Sequence, residues 1–270
     1  MIPAMKRSML RTAAGLLAAQ LLIYGVVGAA YGFSWTNLVV FLLVCLPYHG
    51  LILFGMLKLA HLFALAKNGK PLERVNIANH LSLFRLSSVP TLAFLITAMQ
   101  RSPVFVVTVV FIAAVFITDL LDGKLARRLN QVTFIGQYLD SASDYVILFA
   151  TSVVFIVYGL ITVTFLVLLI LRLLVVAGGN TLIYAVSGDA EPRTSYLGKA
   201  SVFAVMGFFA FRLLQFILEA AALQSPGLTF FYGVVDRMGY MTEGVLVVSL
   251  FEKTGLFLKT WSQTRSRPGE

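Results

Sequence analysis

Apolar segments of membrane-spanning length alternate with short polar connections along most of the chain. An α-helix needs about 20 residues to cross a hydrocarbon core about 30 Å thick. Lipid permits only helices or closed barrels, and continuous apolar runs of this length are not barrel strands. The pattern predicts an all-α polytopic membrane protein with about eight transmembrane helices, near residues 13–33, 37–57, 80–100, 103–121, 139–158, 160–184, 200–222 and 232–251.

These segments group into four predicted regions. Residues 1–57 form a transmembrane hairpin with almost no polar residues in its membrane portion, and residues 58–75 mix apolar and basic residues as an interfacial amphipathic helix does. A six-helix core follows over residues 76–258, with a polar cytoplasmic tail at 259–270. The first span also resembles a signal peptide cleaved after residues 28–30, but its apolar run is long for such a signal, which favours a retained anchor.

Composition and charge support the membrane class and exclude a nucleic-acid partner. Hydrophobic residues make up 59% of the chain and charged residues 12%, whereas an ordinary soluble domain is about a quarter charged. The net charge is +9. Most basic residues lie at the two chain ends and in every second connection between the predicted spans, and the intervening connections contain only one basic residue, Arg101. By the positive-inside rule, both termini and the segment around residues 119–144 face the cytoplasm. We expect the membrane to be the cytoplasmic membrane of a bacterium, and the basic surplus sets orientation and attracts anionic lipid.

Four of the 12 acidic residues lie within one stretch, as Asp119, Asp122, Asp140 and Asp144. The first two are three residues apart and the last two are four apart, so each pair shares a helical face. The first pair ends the fourth predicted span and the second opens the fifth, and a turn near Gly136 would bring all four together. Carboxylates are costly near a bilayer and usually mark an ion, proton or substrate site.

Four neighbouring carboxylates cannot all stay ionised unless cations neutralise them. Oxygen ligands suit Mg²⁺ or Mn²⁺, and pairs of such ions recur in phosphoryl displacement. Gly123 would let a ligand approach the backbone, and Arg127 offers a bidentate phosphate donor. Two alternatives remain open at this point. The aspartates could form salt bridges with Lys124, Arg127 and Arg128 at a solvated helix end, or the chain could be a cation-coupled transporter.

The spacing D-x2-D-G-x2-A-R-x8-G-x3-D-x3-D resembles the signature of the CDP-alcohol phosphotransferase family at every defined position. The stretch from Asn76 to Arg85, followed by Pro90, resembles the opening of that family's first core helix, and Gly198-Lys199 is similar to a pair before its fifth. The resemblance implies a six-helix core, a homodimer and two divalent cations. It also implies transfer of a phosphoalcohol group from a CDP-linked donor to an acceptor hydroxyl with release of CMP.

The same resemblance implies roles for individual residues. Asp119, Asp122, Asp140 and Asp144 would be metal ligands, and Asp144 would also act as the general base. The CDP pocket would be lined by Asp119, Gly123, Ala126, Arg127, Gly136, Asn79 and Ser82. His80, between Asn79 and Ser82, could hydrogen-bond near this site.

The donor is expected to be CDP-diacylglycerol, and the motif opening at Asn76 is most similar to the branch that uses glycerol 3-phosphate, the phosphatidylglycerophosphate synthases. A phosphorylated acceptor needs basic groups, and Arg172, Arg193 and Lys199 are the predicted set. Arg172 could instead pair with a signature aspartate, and a branch joining CDP-choline or CDP-ethanolamine to diacylglycerol stays open. Asp236 and Glu243 are seven residues apart and share a helical face. They could form a second ion site, but a structural pair with Arg237, or a last span that starts later, is favoured.

Overall fold

A computed structural model describes residues 3–99, 101–187, 196–221 and 225–265. Over these ranges the chain forms nine α-helices and no β-strand beyond isolated bridges. It divides into two compact units, Met1–Val154 and Phe155–Glu270. The helices are α1 (Pro3–Tyr31), α2 (Trp35–Lys58), α3 (Ile77–Ser87), α4 (Val89–Ala98), α5 (Phe105–Arg128), α6 (Phe134–Val157), α7 (Val163–Ser187), α8 (Tyr196–Ala220) and α9 (Pro226–Arg265).

Six helical segments in the described ranges are long and apolar enough to cross a membrane. They are α1, α2, α3 continued by α4, α5, α6 and most of α8. This confirms the prediction of an all-α polytopic membrane protein. In α7 the described apolar stretch is the shorter Val163–Val176, so membrane crossing by α7 and α9 stays a prediction.

The predicted hairpin forms from α1 and α2 through a tight turn. Gly32 has a φ of +67°, which side-chain-bearing residues rarely adopt. The Phe33 N–H donates to the Gly28 carbonyl at 2.8 Å. Ser34 then caps α2 by accepting the Asn37 N–H at 3.2 Å. The sequence therefore supplies both the turn glycine and the cap that starts the second helix.

A buried polar contact ties the hairpin to the junction of α3 and α4. Gln20 of α1 is fully buried; its amide accepts from the Thr91 hydroxyl at 2.6 Å and donates to Ser88 Oγ at 3.3 Å. Ser88 separates α3 from α4, and Pro90 occupies the first turn of α4, where the missing N–H costs nothing. The hairpin is thus hydrogen-bonded to the helices that follow it, through a polar residue whose partners sequence alone did not reveal.

The connection between α2 and α3 differs from the amphipathic helix that was expected. Apart from a 3₁₀ turn at Ala60–Leu62 it is not helical. Leu65 forms an isolated β-bridge with Thr133, and the Ala66 N–H donates to the Val132 carbonyl at 2.8 Å. These backbone groups are satisfied by the α5–α6 connection, so no helix is needed to pair them. The interfacial location of residues 58–75 stays a prediction.

The turn between α5 and α6 lies earlier than predicted. Asn130 has a φ of 54°, the Gln131 N–H donates to the Ala126 carbonyl at 2.8 Å, and the Asn130 N–H donates to the Arg127 carbonyl at 3.2 Å. This pair of bonds is a Schellman motif, which commonly ends helices with Gly or Asn in the left-handed region. Gly136 therefore lies within the first turn of α6 and does not make the turn itself.

Candidate functional site

One face of α3 carries three buried polar side chains. Asn79, Ser82 and Arg85 lie at intervals of three residues and are 1%, 3% and 2% exposed. The helix begins here because Asn76 accepts the Asn79 N–H at 2.8 Å as its N-cap. Buried polar groups need hydrogen-bond partners, and in the first unit these come from α5, α6 and the turn between them.

Asp122 of α5 meets this face at Ser82. Its side chain is buried, and its Oδ2 atom accepts a hydrogen bond from the Ser82 hydroxyl at 2.7 Å. The Gly123 N–H donates to the other carboxylate oxygen. Hydrogen bonds to an ionised carboxylate are short and roughly twice as strong as neutral ones. Two residues that the sequence assigned to one site are therefore in direct contact.

Arg85 joins α3 to the two aspartates of α6. Its Nη2 atom donates to Asp140 Oδ1 at 2.7 Å and lies 3.6 Å from Asp144 Oδ1. Its Nε atom donates to Ser143 Oγ at 2.8 Å, and the Ser143 hydroxyl donates to the Asp140 carbonyl at 2.9 Å. The guanidinium thus holds Asp140 and Asp144 on one side of α6 and fixes their orientation towards α3.

Three described aspartates meet the polar face of α3, at Ser82 and at Arg85. Asp144 lies within electrostatic range of Asp122 and Asp140 as well as Arg85. The side chains of Asp140 and Asp144 are 54% and 39% exposed, against 2% for Arg85. One guanidinium carries a single positive charge against three carboxylates, so the site has a surplus of negative charge that a cation can offset.

Gly136 packs against Asn79 and Thr133. A Cβ atom at Gly136 would lie 3.0 Å from Thr133 Oγ1 and 3.1 Å from Asn79 Oδ1. Thr133 donates to Asn79 Oδ1 at 3.0 Å and accepts the Gly136 N–H at 3.1 Å. The Asn79 Nδ2 atom is buried without a hydrogen-bond partner in the described part of the chain. A buried donor of this kind is rare in a native protein and is available to a ligand.

Arg127 lies over Gly123 near the end of α5. The nearest guanidinium nitrogen is 3.5 Å from the position a Cβ at Gly123 would take. Arg127 is exposed, and within the described residues its side chain makes no ion pair. Asp140 and Asp144 form their described ion pairs with Arg85, not with Lys124, Arg127 or Arg128. The salt-bridge alternative is therefore wrong for the described aspartates.

Replacing Gly136 with alanine should lower stability by about 1–3 kcal/mol, because Asn79 and Thr133 must move to admit the methyl group. Gly123→Ala is the matched control, since its methyl would meet only ordinary contacts at 3.5 Å or more. Alanine also favours a helix over glycine by up to about 1 kcal/mol. Thermal unfolding of both purified variants in the same detergent checks this, and equal destabilisation would contradict the packing argument.

The structure does not describe the side chains of three predicted site residues. Asp119 lies in α5 one turn before Asp122, and Lys199 lies in α8, but neither side chain is described. Arg193 lies outside the described residues altogether. Ala126 is half-buried, and its carbonyl accepts the Gln131 N–H. The ligand-binding roles assigned to these four residues stay predictions.

Arg172 lies in a buried polar network of the second unit. It is 4% exposed; its Nη2 atom donates to Ser201 Oγ at 2.8 Å and to the Gly198 carbonyl at 3.0 Å. Its Nε atom donates to Ser249 Oγ at 3.3 Å. The partners described here are neutral groups of α8 and α9. The network holds the guanidinium in place at the Gly198-Lys199 pair, and a role in phosphate binding stays a prediction.

Asp236 and Glu243 have separate partners in the second unit. Asp236 forms an ion pair with Arg212 of α8 at 2.7 Å, so a structural pair is present but its cation is not the predicted Arg237. Glu243 accepts a short hydrogen bond from the Thr162 hydroxyl. Asp236 is thus engaged with α8 and Glu243 with the residue that precedes α7, which explains both acids without a second ion site.

No group of three His, Cys, Asp or Glu side chains is arranged to hold a metal ion among the residues whose side chains are described. The Asp119 side chain is not part of that set. The described site contains three carboxylates, and two of them are partly exposed. The Ser82 hydroxyl and the Arg85 guanidinium orient these carboxylates. Carboxylate oxygens are the ligands that hard divalent cations prefer.

Comparison with known proteins identifies the family. A family model described as CDP-alcohol phosphatidyltransferase matches residues 75–238, which include α3, the aspartates and the Gly198-Lys199 pair. The chain belongs to the CDP-alcohol phosphatidyltransferase family. The resemblance stated from the aspartate spacing is therefore confirmed, and the hairpin of α1 and α2 lies outside the matched residues.

Individual relatives match shorter segments. A cardiolipin synthase (CMP-forming) of Streptomyces coelicolor is 34% identical over 148 residues, which cover 52% of this chain and 66% of the relative. A CDP-diacylglycerol–glycerol-3-phosphate 3-phosphatidyltransferase of Wigglesworthia glossinidia brevipalpis is 38% identical over 85 residues, covering 32% of this chain and 46% of the relative. The matches therefore span less than two thirds of these relatives' own lengths.

Arg85 is the principal site residue to which the sequence analysis assigned no role. It belongs to the motif opening at Asn76, and two signals point to it. It follows Ser82 by three residues on the same helical face, and it is a cation inside a predicted span, where an unpaired charge would be costly. Thr133 and Ser143 are small polar residues at helix ends and faces, and nothing in the sequence alone distinguishes their roles.

Proposed function

We propose that this protein transfers a phosphatidyl group from CDP-diacylglycerol to the hydroxyl of a glycerol-containing acceptor, with release of CMP. The observation that carries the proposal is the convergence of Asp122, Asp140 and Asp144 on the polar face of α3. This arrangement lies within the residues that match the family model. The names of the relatives supply the donor, the acceptor class and the CMP product.

The carboxylates of the signature have the chemistry to hold a pair of divalent cations, Mg²⁺ or Mn²⁺. Their oxygen ligands would be Asp119, Asp122, Asp140 and Asp144, and the partly exposed side chains of Asp140 and Asp144 leave oxygen lone pairs available. The cations would supply positive charge to the donor diphosphate. Arg85 prepares this set by fixing the α6 carboxylates, as groups behind metal ligands commonly do.

The remaining chemistry falls to side chains of this chain. Asn79 offers its unpaired amide N–H to the cytidine, and Arg127 offers its guanidinium to the donor phosphates. Gly123, which has no side chain, would let the nucleotide approach the backbone of α5. The Asp144 carboxylate takes the proton of the acceptor hydroxyl as its oxygen attacks the phosphorus that bears the diacylglycerol. The bond from that phosphorus to the CMP oxygen breaks, and CMP leaves with the electron pair.

Glycerol 3-phosphate is the acceptor we infer, with Arg172, Arg193 and Lys199 as the groups that receive its phosphate. Cardiolipin formation is the second candidate, because the Streptomyces relative is named for that product. Making cardiolipin with release of CMP requires phosphatidylglycerol as the acceptor. Both acceptors carry a glycerol hydroxyl and a phosphate, so the aspartate site serves either reaction. By the positive-inside rule the site faces the cytoplasm, and a homodimer is expected from the family.

The test is CMP release by the purified full-length protein reconstituted in lipid with CDP-diacylglycerol and Mn²⁺. Glycerol 3-phosphate, phosphatidylglycerol, inositol and serine are offered singly, with Asp144→Asn as the blank. Release with glycerol 3-phosphate, absent from the blank, supports the proposal, and release with phosphatidylglycerol alone supports the second candidate. Release only with CDP-choline or CDP-ethanolamine and diacylglycerol would replace the donor. No release with any pair, together with ion movement in sealed liposomes, would favour a transporter.

A further inference from the structure

A basic cavity lies at the start of α1, outside the residues placed in the aspartate site. Its volume is about 590 Å³, within the range of about 300–1,000 Å³ that small-molecule sites occupy. Most of its lining comes from α1, and the rest comes from the connection before α3 and from α3 itself. Its polar lining consists of Arg7, Ser8, Arg11, Thr12, Arg74 and His80.

The α1 residues of the cavity follow helical spacing. Arg7, Arg11 and Gly15 are four residues apart, so they form one stripe along the helix. The glycine ends the stripe without a side chain, and a Cβ atom there would meet nothing within 4 Å. The open volume beside the two arginines is therefore maintained partly by the absence of a side chain at Gly15.

No described acidic side chain compensates the positive charges of this cavity. Three guanidinium groups line it, and no carboxylate does. Within the described residues, Arg7, Arg11 and Arg74 make no side-chain hydrogen bond or ion pair. Like charges brought together disfavour one another unless an opposite charge lies between them. An anion is the ligand that such a group of cations would hold.

The polar groups of the cavity are already oriented. The His80 ring bonds to the Asn76 carbonyl through Nδ1 at 2.8 Å and to the Thr12 hydroxyl through Nε2 at 3.0 Å. Ser8 Oγ accepts the Val75 N–H at 3.1 Å. These bonds join α1 to the N-terminal end of α3, so one wall of the cavity beside the three arginines is held by hydrogen bonds.

We propose that this cavity binds a phosphate group, carried either by an anionic phospholipid headgroup or by a soluble phosphate ester. Arginine matches phosphate oxygens in a bidentate geometry, and a phosphate carries up to two negative charges where a carboxylate carries one. The cavity is built largely by the hairpin, which the family model does not include. It is a site additional to the donor and acceptor groups named above.

Binding to the full-length protein in detergent tests this without any turnover. Inorganic phosphate and glycerol 3-phosphate are the soluble probes, followed by calorimetry, in the Asp144→Asn background. Phosphatidylglycerol and phosphatidylcholine are the lipid probes, followed by native mass spectrometry. Gly15→Leu fills the cavity, and Gly25→Leu is the matched control, because Gly25 lies on the same helix and also has nothing within 4 Å. Arg11→Gln removes one cavity charge, and Lys6→Gln removes an exposed charge beside it.

We expect Gly15→Leu and Arg11→Gln to weaken binding by about tenfold or more, because each variant should remove at least one charge-assisted contact. Gly25→Leu and Lys6→Gln should retain the wild-type affinity. Binding of a soluble probe that the two cavity variants, Gly15→Leu and Arg11→Gln, weaken assigns the cavity to a phosphate ester, and preferential binding of phosphatidylglycerol over phosphatidylcholine that they weaken assigns it to a lipid. Binding that both variants leave unchanged lies elsewhere and overturns the proposal. Equal loss in Lys6→Gln would show general attraction to anions and overturn the proposal, as would the absence of any binding. Failure here leaves CMP release untouched, so it is distinct from failure of the proposed transferase.

Discussion

Replacing Arg85 with methionine is expected to lower CMP release by roughly a hundredfold or more, the scale that a displacement of about 1 Å at a reacting group can cost. Arg85 is the described group that holds Asp140 against α3, and it also contacts Ser143 and lies beside Asp144. Methionine has similar length and keeps the apolar packing. It cannot donate a hydrogen bond, so the α6 carboxylates lose the contact that orients them.

The loss of stability should be smaller than the loss of activity. Breaking a buried ion pair costs about 3–5 kcal/mol when it leaves a buried charge without a partner. Here the charges left behind are Asp140 and Asp144, which are 54% and 39% exposed and can be solvated. We therefore expect a cost of about 1–2 kcal/mol.

Arg212→Met is the matched control for this experiment. Arg212 is 11% exposed and contacts Asp236, which is 57% exposed, at the same 2.7 Å that separates Arg85 from Asp140. The two substitutions should cost similar stability, measured by thermal unfolding in detergent, but only Arg85→Met should reduce CMP release. Arg85→Lys should recover little activity, because one ammonium group cannot span Ser143 and Asp140 as the guanidinium does. Equal activity losses in the Arg85 and Arg212 variants would contradict a positioning role for Arg85.

Much of the fold was predictable from the lengths of the apolar segments. The length and hydrophobicity of a segment are enough to predict a spanning helix of about 20 residues, and six segments of the described chain meet that expectation. The errors arose where distant groups satisfy the backbone. Residues 64–66 pair with the α5–α6 connection instead of forming a helix. The α5–α6 turn lies at Asn130 and not near Gly136, because Asn130 adopts the left-handed conformation that ends α5.

In the candidate site, too, features within one helix were predictable and contacts between helices were not. Helical spacing placed Asp140 and Asp144 on one face, and the family resemblance included Asn79 and Ser82. The contacts between helices were not readable, because they depend on the register of α3 against α5 and α6. Gly136 illustrates the difference. The sequence suggested room for a ligand, and the structure adds crowding by Asn79 and Thr133. Whether a nucleotide also lies against it stays a prediction.

Asp144→Asn is expected to reduce CMP release by about 10²–10⁴-fold, because an amide cannot take the proton of the acceptor hydroxyl. Its stability should stay close to that of the wild type. Asp144 makes no hydrogen bond with a described residue and lies 3.6 Å from Arg85, beyond hydrogen-bond distance. Asp140→Asn should instead cost about 1–2 kcal/mol, because its carboxylate is the 2.7 Å acceptor of the Arg85 guanidinium.

Titration with Mn²⁺ separates a ligand from a base. If Asp140 only binds metal and Arg85, excess Mn²⁺ should restore part of the activity of Asp140→Asn, since weaker metal binding is overcome by mass action. The same excess should leave Asp144→Asn inactive, since added metal does not replace a proton acceptor. Asp236→Asn serves as the control for removing a half-exposed, arginine-paired carboxylate elsewhere in the chain, and its rate should match the wild type. Recovery of Asp144→Asn at high Mn²⁺ would show that Asp144 acts as a ligand alone, and the proton acceptor would then have to be sought among the other carboxylates of the site.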